Sequence, residues 1–327
     1  MSKKNRLHLD LLEDRVAYLE QHGKKPTTIS EQIELLKSRN LKIDDEEEAH
    51  KVLADVGYYR LMGYCFQFKK GEIYNPDFSF WAACGLYELD GQVRDHLFSL
   101  TGRVEIRLRS MMSGILSLHY GSAAHLKREL YTMSDAEFDE YIKRYEDILR
   151  AKYRSGLQFV TWNLDTYHEL PIWAAFEILP FGTVSMLYSR LAEKAVQNEI
   201  AAGFTSHNVH KDKYFTVNAH DLISWSHAVN DIRNICAHHE RLSARTLKTA
   251  PVLHEPESDF RGNTVFGVLL ALGYLYRAMW PTSWIGFVEF MKQLRSEHDL
   301  GALRLYGFTE DWWKRFGFDG YEEGSEK

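Results

Sequence analysis

The sequence predicts an all-α protein, and three of its features carry that expectation. Apolar residues recur at the 3.6-residue period of an amphipathic helix along most of the chain, whereas the alternation of a half-buried strand is weak everywhere. Only 7 prolines interrupt 327 residues, so long helices meet few obligatory breaks. Helix start and stop signals bracket the periodic segments.

The elements follow in order. TISEQIELLKSRN offers Thr28 or Ser30 as an N-cap, with Ile33, Leu35 and Leu36 behind it. The acidic run at 44–48 then sits where a helix N-terminus favours negative charge, so residues 28–68 read as two helices joined by a turn. Residues 78–121 keep helical spacing throughout and close on a glycine. Residues 134–153 read as a polar, exposed helix, and 170–191, apolar with proline and glycine breaks, as two short buried ones. One continuous helix is expected over 227–245, then a loop over 249–263, helices over 264–280 and 283–298, and a short aromatic tail. The implied organisation is an amino-terminal helical subdomain (1–77), a core (78–248) and a carboxyl-terminal helical extension (249–327).

Composition narrows the function. Three scattered cysteines, Cys65, Cys84 and Cys236, do not make a disulfide framework and fit a reducing cytoplasm. The amino end, MSKKNRLHLDLLEDRVAYLEQHG, lacks an apolar run with a small-residue cleavage site, so no secretory leader is expected. The longest apolar run, 265–276, is too short to span a bilayer. A cytoplasmic protein without membrane contact is therefore expected. The net charge of −6 gives no global field toward nucleic acid. DNA is not an expected partner, and RNA would need a local cationic patch. No glycine-rich phosphate loop supports a nucleotidyl- or phosphotransferase-linked role.

One stretch, NDIRNICAHHERLSAR (230–245), concentrates titratable and cationic groups. At helical spacing His227, Asn230, Asp231, Asn234, His238, Arg241 and Arg245 form one stripe, with Val229, Ile232, Cys236 and His239 on the mostly apolar other side. Asn234 lies one turn below His238, placed to hydrogen-bond it, and Arg233 flanks the pair. A histidine that titrates near neutrality beside a permanent guanidinium suits phosphodiester cleavage. The first moves protons, and the second stabilises the charged phosphorane. The spacing alone is a weak signal, since Arg15 and His22 also carry it. His239 is a second candidate for the acid–base role. Cys236, His238 and His239 are too few for a structural zinc site, and no metal or other cofactor is expected.

Further candidates come with two readings each. Glu105 and Arg109 are an i,i+4 pair, either a surface ion pair or support for the motif. Arg103 and Arg107 line either a solvated face or an RNA groove. Tyr58, Tyr59, Arg60 and Tyr64 either stack on bases or pack between subdomains.

DIRNICAHHERLSAR resembles the motif helix of the Abi-like (AbiD/AbiF-type) abortive-infection proteins of the HEPN superfamily. EQIELLKSRNLKIDDEEEAHKVLADVGYYRLMGYCFQF, LYELDGQVRDHLFSLTGRVEIRLRS, PIWAAFEILPFGTVSMLYSRL and YGFTEDWW resemble other blocks of that family in the same order, covering roughly 25–315. The resemblance implies a HEPN-type helical bundle and, in active members, metal-independent endoribonuclease chemistry in phage defence or toxin action. It places the catalytic pair on Arg233 and His238, with Asn234 as the polar follower. Glu105 and Arg109 become the acidic and basic pair of an earlier helix. From the residues themselves, Arg241, Arg245, His239, Arg103 and Arg107 are expected as supporting or RNA-binding positions. The family's usual tryptophan and asparagine after the motif are replaced, since Arg241 and Leu242 are followed by Ser243, Ala244 and Arg245. The expected partners are RNA, as substrate or small regulatory RNA, and a second copy of the chain. An antitoxin-type HEPN protein that binds RNA without cutting it is the alternative.

Overall fold

The computed structural model describes residues 12–298 and 300–317, so residues 1–11, within the stretch read for a leader, lie outside the described residues. The fold is all-α. Among the described residues there are fifteen α-helices and two two-stranded antiparallel sheets. None of these helices is long and apolar enough to cross a membrane. The chain divides into two compact units, Met1–Gly85 and Leu86–Lys327.

In the first unit, α1 (Leu12–His22), α2 (Ile29–Ser38), α3 (Glu46–Val56) and α4 (Tyr58–Met62) precede a 3₁₀ turn and a hairpin of β1 (Lys69–Lys70) and β2 (Ile73–Tyr74). Thr28 is the cap of α2, since its hydroxyl accepts the Glu31 N–H while Glu31 accepts the Thr28 N–H at 2.7 Å. Asp45 caps α3 through the Glu48 N–H at 3.0 Å. Gly57, at φ +85, ends α3 and sets α4 apart as a separate short helix, so two expected helices are three. Ile33, Leu36, Ala49, Leu53, Leu61 and Cys65 form this unit's core. Tyr64 is buried there, whereas Tyr59 stands in solvent.

The next helix, α5 (Phe80–Tyr120), is 41 residues long and stops at Gly121, at φ +87. Its buried stripe is Leu89, Val93, Leu97, Leu100, Val104, Leu108, Met112 and Leu116, the spacing seen in the sequence. There follow α6 (Asp135–Arg154), α7 (Gln158–Tyr167), α8 (Ile172–Ile178), α9 (Phe181–Ser189) and α10 (Lys194–Ala202). A hairpin of β3 (Thr205–Asn208) and β4 (Lys213–Thr216) leads to α11 (Ala219–Ala237). The chain ends with α12 (Val265–Met279), α13 (Pro281–Glu297), α14 (Leu300–Arg304) and α15 (Trp312–Arg315). Every residue of α12 through Tyr276 is buried, and α12 packs on β3, α11 and α13. The described part of the 249–327 segment thus belongs to the second unit. On its other sides α11 meets α9 and α10. Gly182 of α9 permits the approach, because an added Cβ would lie 3.2 Å from the Asn230 side chain.

The helix expected over 227–245 is corrected at its carboxyl end, since α11 stops at Ala237. The His239 N–H bonds to the Cys236 carbonyl at 3.1 Å and the Glu240 N–H to the Ile235 carbonyl at 3.0 Å, with His239 at φ +51. That pair of bonds is a Schellman stop. It is formed here by histidine, one of the few non-glycine residues that tolerates the left-handed region. The loop beyond the stop is held from α5. The buried Asp90 carboxylate accepts the Leu242 N–H at 3.0 Å, the Ser243 N–H at 2.8 Å and the Tyr306 hydroxyl at 2.9 Å, and pairs with Arg94. Continuing α11 would withdraw those amides into helical bonding and leave Asp90 with fewer donors. The elements α7, α10 and both hairpins also go beyond the sequence-based expectation, being too short for their periodicity to stand out.

Two expectations for stability follow. Asp90→Ala removes one side of a buried ionic network, which costs about 3–5 kcal/mol. It should lower the melting midpoint by roughly 10 °C and speed amide exchange at Leu242 and Ser243. A loss under about 1 kcal/mol would rule out the anchoring role. His125 is fully buried, and neither of its ring nitrogens has a hydrogen-bond partner among the described residues. Burial pushes its pKa down to about 4. The unfolded chain therefore binds the proton more tightly, and stability should fall as pH drops from about 6.5 toward about 4, by roughly 3 kcal/mol in all. His125→Leu should flatten that range of the urea-denaturation pH profile, and an unchanged profile would refute the assignment.

Candidate functional site

Asn218 starts α11 by accepting the Asp221 N–H at 2.9 Å, and the helix buries Leu222, Trp225, Val229, Ile232 and Cys236. Because that face is full, the polar face at the carboxyl end is directed outward. Asn230, Asp231, Arg233 and Asn234 are half-buried, and His238, the capping residue, is exposed.

The centre of the site is the Glu105 carboxylate on α5. One oxygen lies 3.2 Å from Arg233 Nε. The other accepts from Arg109 Nε at 3.1 Å and is also bonded by Arg109 Nη2. Arg109 Nη1 in turn donates to the carbonyls of Phe176 and, at 2.8 Å, Leu179. The pair read two ways in the sequence is therefore an internal brace tying α5 to α8 and to α11. Its acidic member is nine-tenths buried and holds a guanidinium on each side. The Arg233 guanidinium also lies over the Phe98 ring, 5.6 Å from its centre, and reaches Asn234 Oδ1 at 3.5 Å. Charge pairing and ring stacking together restrict a side chain that would otherwise sweep a wide volume.

Other candidates have different surroundings. The Asn234 side chain meets Asn230, at 3.5 Å, and Arg233, while its backbone carbonyl accepts the His238 N–H at 3.0 Å. His239 is corrected from the apolar side to solvent, because it leaves the helix at the left-handed stop. Arg241 and Arg245 lie on the loop beyond, and Arg245 pairs with Glu240 at 2.6 Å. Arg107 donates to the Gly203 carbonyl at the end of α10 and lies over the Phe204 ring, and burial lowers its pKa. Arg103 is exposed and bonds Ser283 at 2.6 Å. Burial and Asp231 act oppositely on half-buried His227, and burial prevails, lowering its pKa.

Burial also pushes the Cys236 thiol up to about 12. Among the described residues no group of three or more His, Cys, Asp or Glu side chains is placed to hold a metal ion.

The residues that sequence reasoning missed are Phe98, Asp90 and Arg94. Asp90 carried a usable signal, since Leu86, Asp90, Val93 and Leu97 share one helical face and the other three are apolar. A carboxylate at a core position needs donors brought by another segment.

Residues 51–243, more than half of the chain, match the family model described as Abi-like protein. No curated protein and no solved structure matches the chain. The chain belongs to the Abi-like protein family.

Proposed function

We propose that this member of the Abi-like family is a HEPN-type endoribonuclease of phage defence, acting in the cytoplasm without a metal ion. The observation that carries the reading is the Glu105 carboxylate gripping Arg233 at 3.2 Å on the same helix that the solvent-exposed His238 caps. A permanent cation of fixed direction and an accessible imidazole are the two groups that internal transesterification of RNA requires. The ribose 2′-oxygen attacks the adjacent phosphorus and gives up its proton to an imidazole. The P–O5′ bond breaks, and the departing 5′-oxygen takes a proton from an imidazolium. The products are a 2′,3′-cyclic phosphate and a 5′-hydroxyl, and Arg233 meets the charge that builds on the phosphorane.

One copy brings one well-placed imidazole, while the reaction takes a proton at one oxygen and gives one at another. Arg233 and His238, five positions apart, also point roughly 140° away from each other on an ideal helix. A homodimer with the two α11 ends facing each other resolves both difficulties. The α5 surface beside Arg233 supports that arrangement. Phe98 and Ile106 are 45% and 69% exposed, and nothing lies within 4 Å of a Cβ built on Gly102 between them. A two-fold axis there would join identical apolar patches and bring both arginines to one cleft.

A second reading, an RNA-binding protein that does not cut, has its own support. The Asn234 side chain is turned to Asn230 and Arg233 and fixes no His238 tautomer within one copy. A small regulatory RNA would then be the bound partner.

His238→Ala and Arg233→Ala should each abolish RNA cleavage by the purified protein with the fold intact, His238→Ala with the melting midpoint unchanged. For His238 the loss should be roughly 10²–10⁴-fold, and one under about tenfold would remove it from the acid–base role. EDTA should leave cleavage intact, and a requirement for added Mg²⁺ or Zn²⁺ would contradict the mechanism. RNA binding without any cleavage would favour the second reading. Ile106→Glu should yield a folded monomer by light scattering, with cleavage lost as completely as in His238→Ala. A fully active monomer would defeat the dimer.

A further inference from the structure

Away from α11, a cavity of about 480 Å³ opens beside α7 and the loop into α8. Trp162, Tyr167 and Trp173 line it and are 56%, 61% and 53% exposed, far more than rings of that size usually are. Trp162 and Tyr167 meet edge to face, 5.4 Å apart, so their relative orientation is set before any guest arrives. The one charged side chain in the lining is Glu169. Its Oε1 accepts the Tyr145 hydroxyl at 2.5 Å and the Leu170 N–H at 2.7 Å, which fixes the carboxylate. No Lys, Arg or His pairs with Glu169 among the described residues. Asn163, 8% exposed, also lines the cavity and donates to the Phe159 carbonyl at 2.7 Å, leaving its amide oxygen as a further acceptor.

We propose that this cavity is a binding site for a guanidinium cation, stacked on the tryptophans and paired with Glu169. Three electron-rich ring faces and one carboxylate with no counter-cation make a site of a single sign, which repels phosphate and so is separate from any RNA path. The acceptors, Glu169 and Asn163, call for a guest with several N–H donors. A guanidinium supplies five in one plane, sheds water more readily than an ammonium and stacks on aromatic faces. The volume leaves room for a guanidinium carried on a longer molecule, either an arginine of a polypeptide or a free guanidino metabolite. A neutral isostere would keep the stacking and lose the charge.

The test titrates the full chain by calorimetry with L-argininamide, with a Gly-Gly-Arg-Gly-Gly peptide, and with the citrulline counterpart of each. Both arginine ligands should bind saturably and neither citrulline ligand should. Trp162→Ala and Trp173→Ala, both at exposed positions, should each weaken binding by about tenfold, the loss of one cation–π contact. Glu169→Gln, which keeps an acceptor for Tyr145, should weaken it at least as much. A peptide that binds more tightly than the amide identifies a polypeptide source, and equal affinities identify a free metabolite. Equal binding of citrulline and arginine ligands would overturn the proposal, as would no saturation in the millimolar range or affinities untouched by the tryptophan variants.

Discussion

Asp90 is the constraint on which the arrangement of the second unit rests. A carboxylate with no exposed surface is tolerable only when several donors surround it. Those donors come from three places: Arg94 on the same helix, two successive amides after α11, and the Tyr306 hydroxyl far along the chain. Satisfying one buried charge therefore fixes where α11 ends, how its trailing loop returns to α5, and where the carboxyl-terminal segment docks. The left-handed turn at His239 is the local expression of the same demand, because the amides of Leu242 and Ser243 must leave the helix to reach α5. His238 consequently caps a helix in solvent instead of lying within a packed one.

Glu105 has a corresponding role at the site itself, in orientation more than in assembly. Its charge would weaken Arg233 as an anion receptor if the two were the whole of the local field. Arg109 offsets this by sharing the carboxylate and anchoring itself on two α8-side carbonyls. The result is two guanidinium groups on one carboxylate, a cluster with one net positive charge. The partly exposed member, Arg233, faces outward, and the more buried member, Arg109, faces inward. Such a cluster gives direction to a cation at modest entropic cost, since Glu105 is already immobilised by its first partner.

Much of this was legible in the sequence where the signal was periodic. The stripe on α5, the buried character of α8, α9 and α12, and the stop at Gly121 all follow from residues repeating over several turns. The end of α11 was not legible, because HHERLSAR contains no glycine or proline and the stop depends on a histidine tolerating positive φ. Glu105 and Arg109 were found as a pair, yet only the packing of α11 against α5 reveals that Arg233 completes it. Arg107 was visible as a cation four positions from Arg103, but spacing cannot tell a solvated guanidinium from one that closes the end of α10. The hidden information is long-range in each case: a side chain read correctly by type whose partner lies about seventy to a hundred and fifty positions away.

Charge bears on how the proposed RNA cleavage would bring a phosphate to an acidic chain. With 40 Lys and Arg against 46 Asp and Glu, favourable potential must be local. Many arginines are already committed inward. Arg94 faces Asp90, Arg107 and Arg277 donate to backbone carbonyls, and burial brings Arg277 down to about 10. The end of α11 is also the negative pole of its helix dipole, which opposes an anion. The Schellman bonds quench some of that pole by occupying the Ile235 and Cys236 carbonyls. At this end one copy offers Arg233, already shared with a carboxylate, and the exposed imidazole of His238, with Arg241 and Arg245 on the loop beyond. Doubling that end across a two-fold axis adds the second cation and the second proton-transfer group at once, without altering a residue of the fold. For a chain of this charge, that is the least demanding route to the phosphodiester site proposed above.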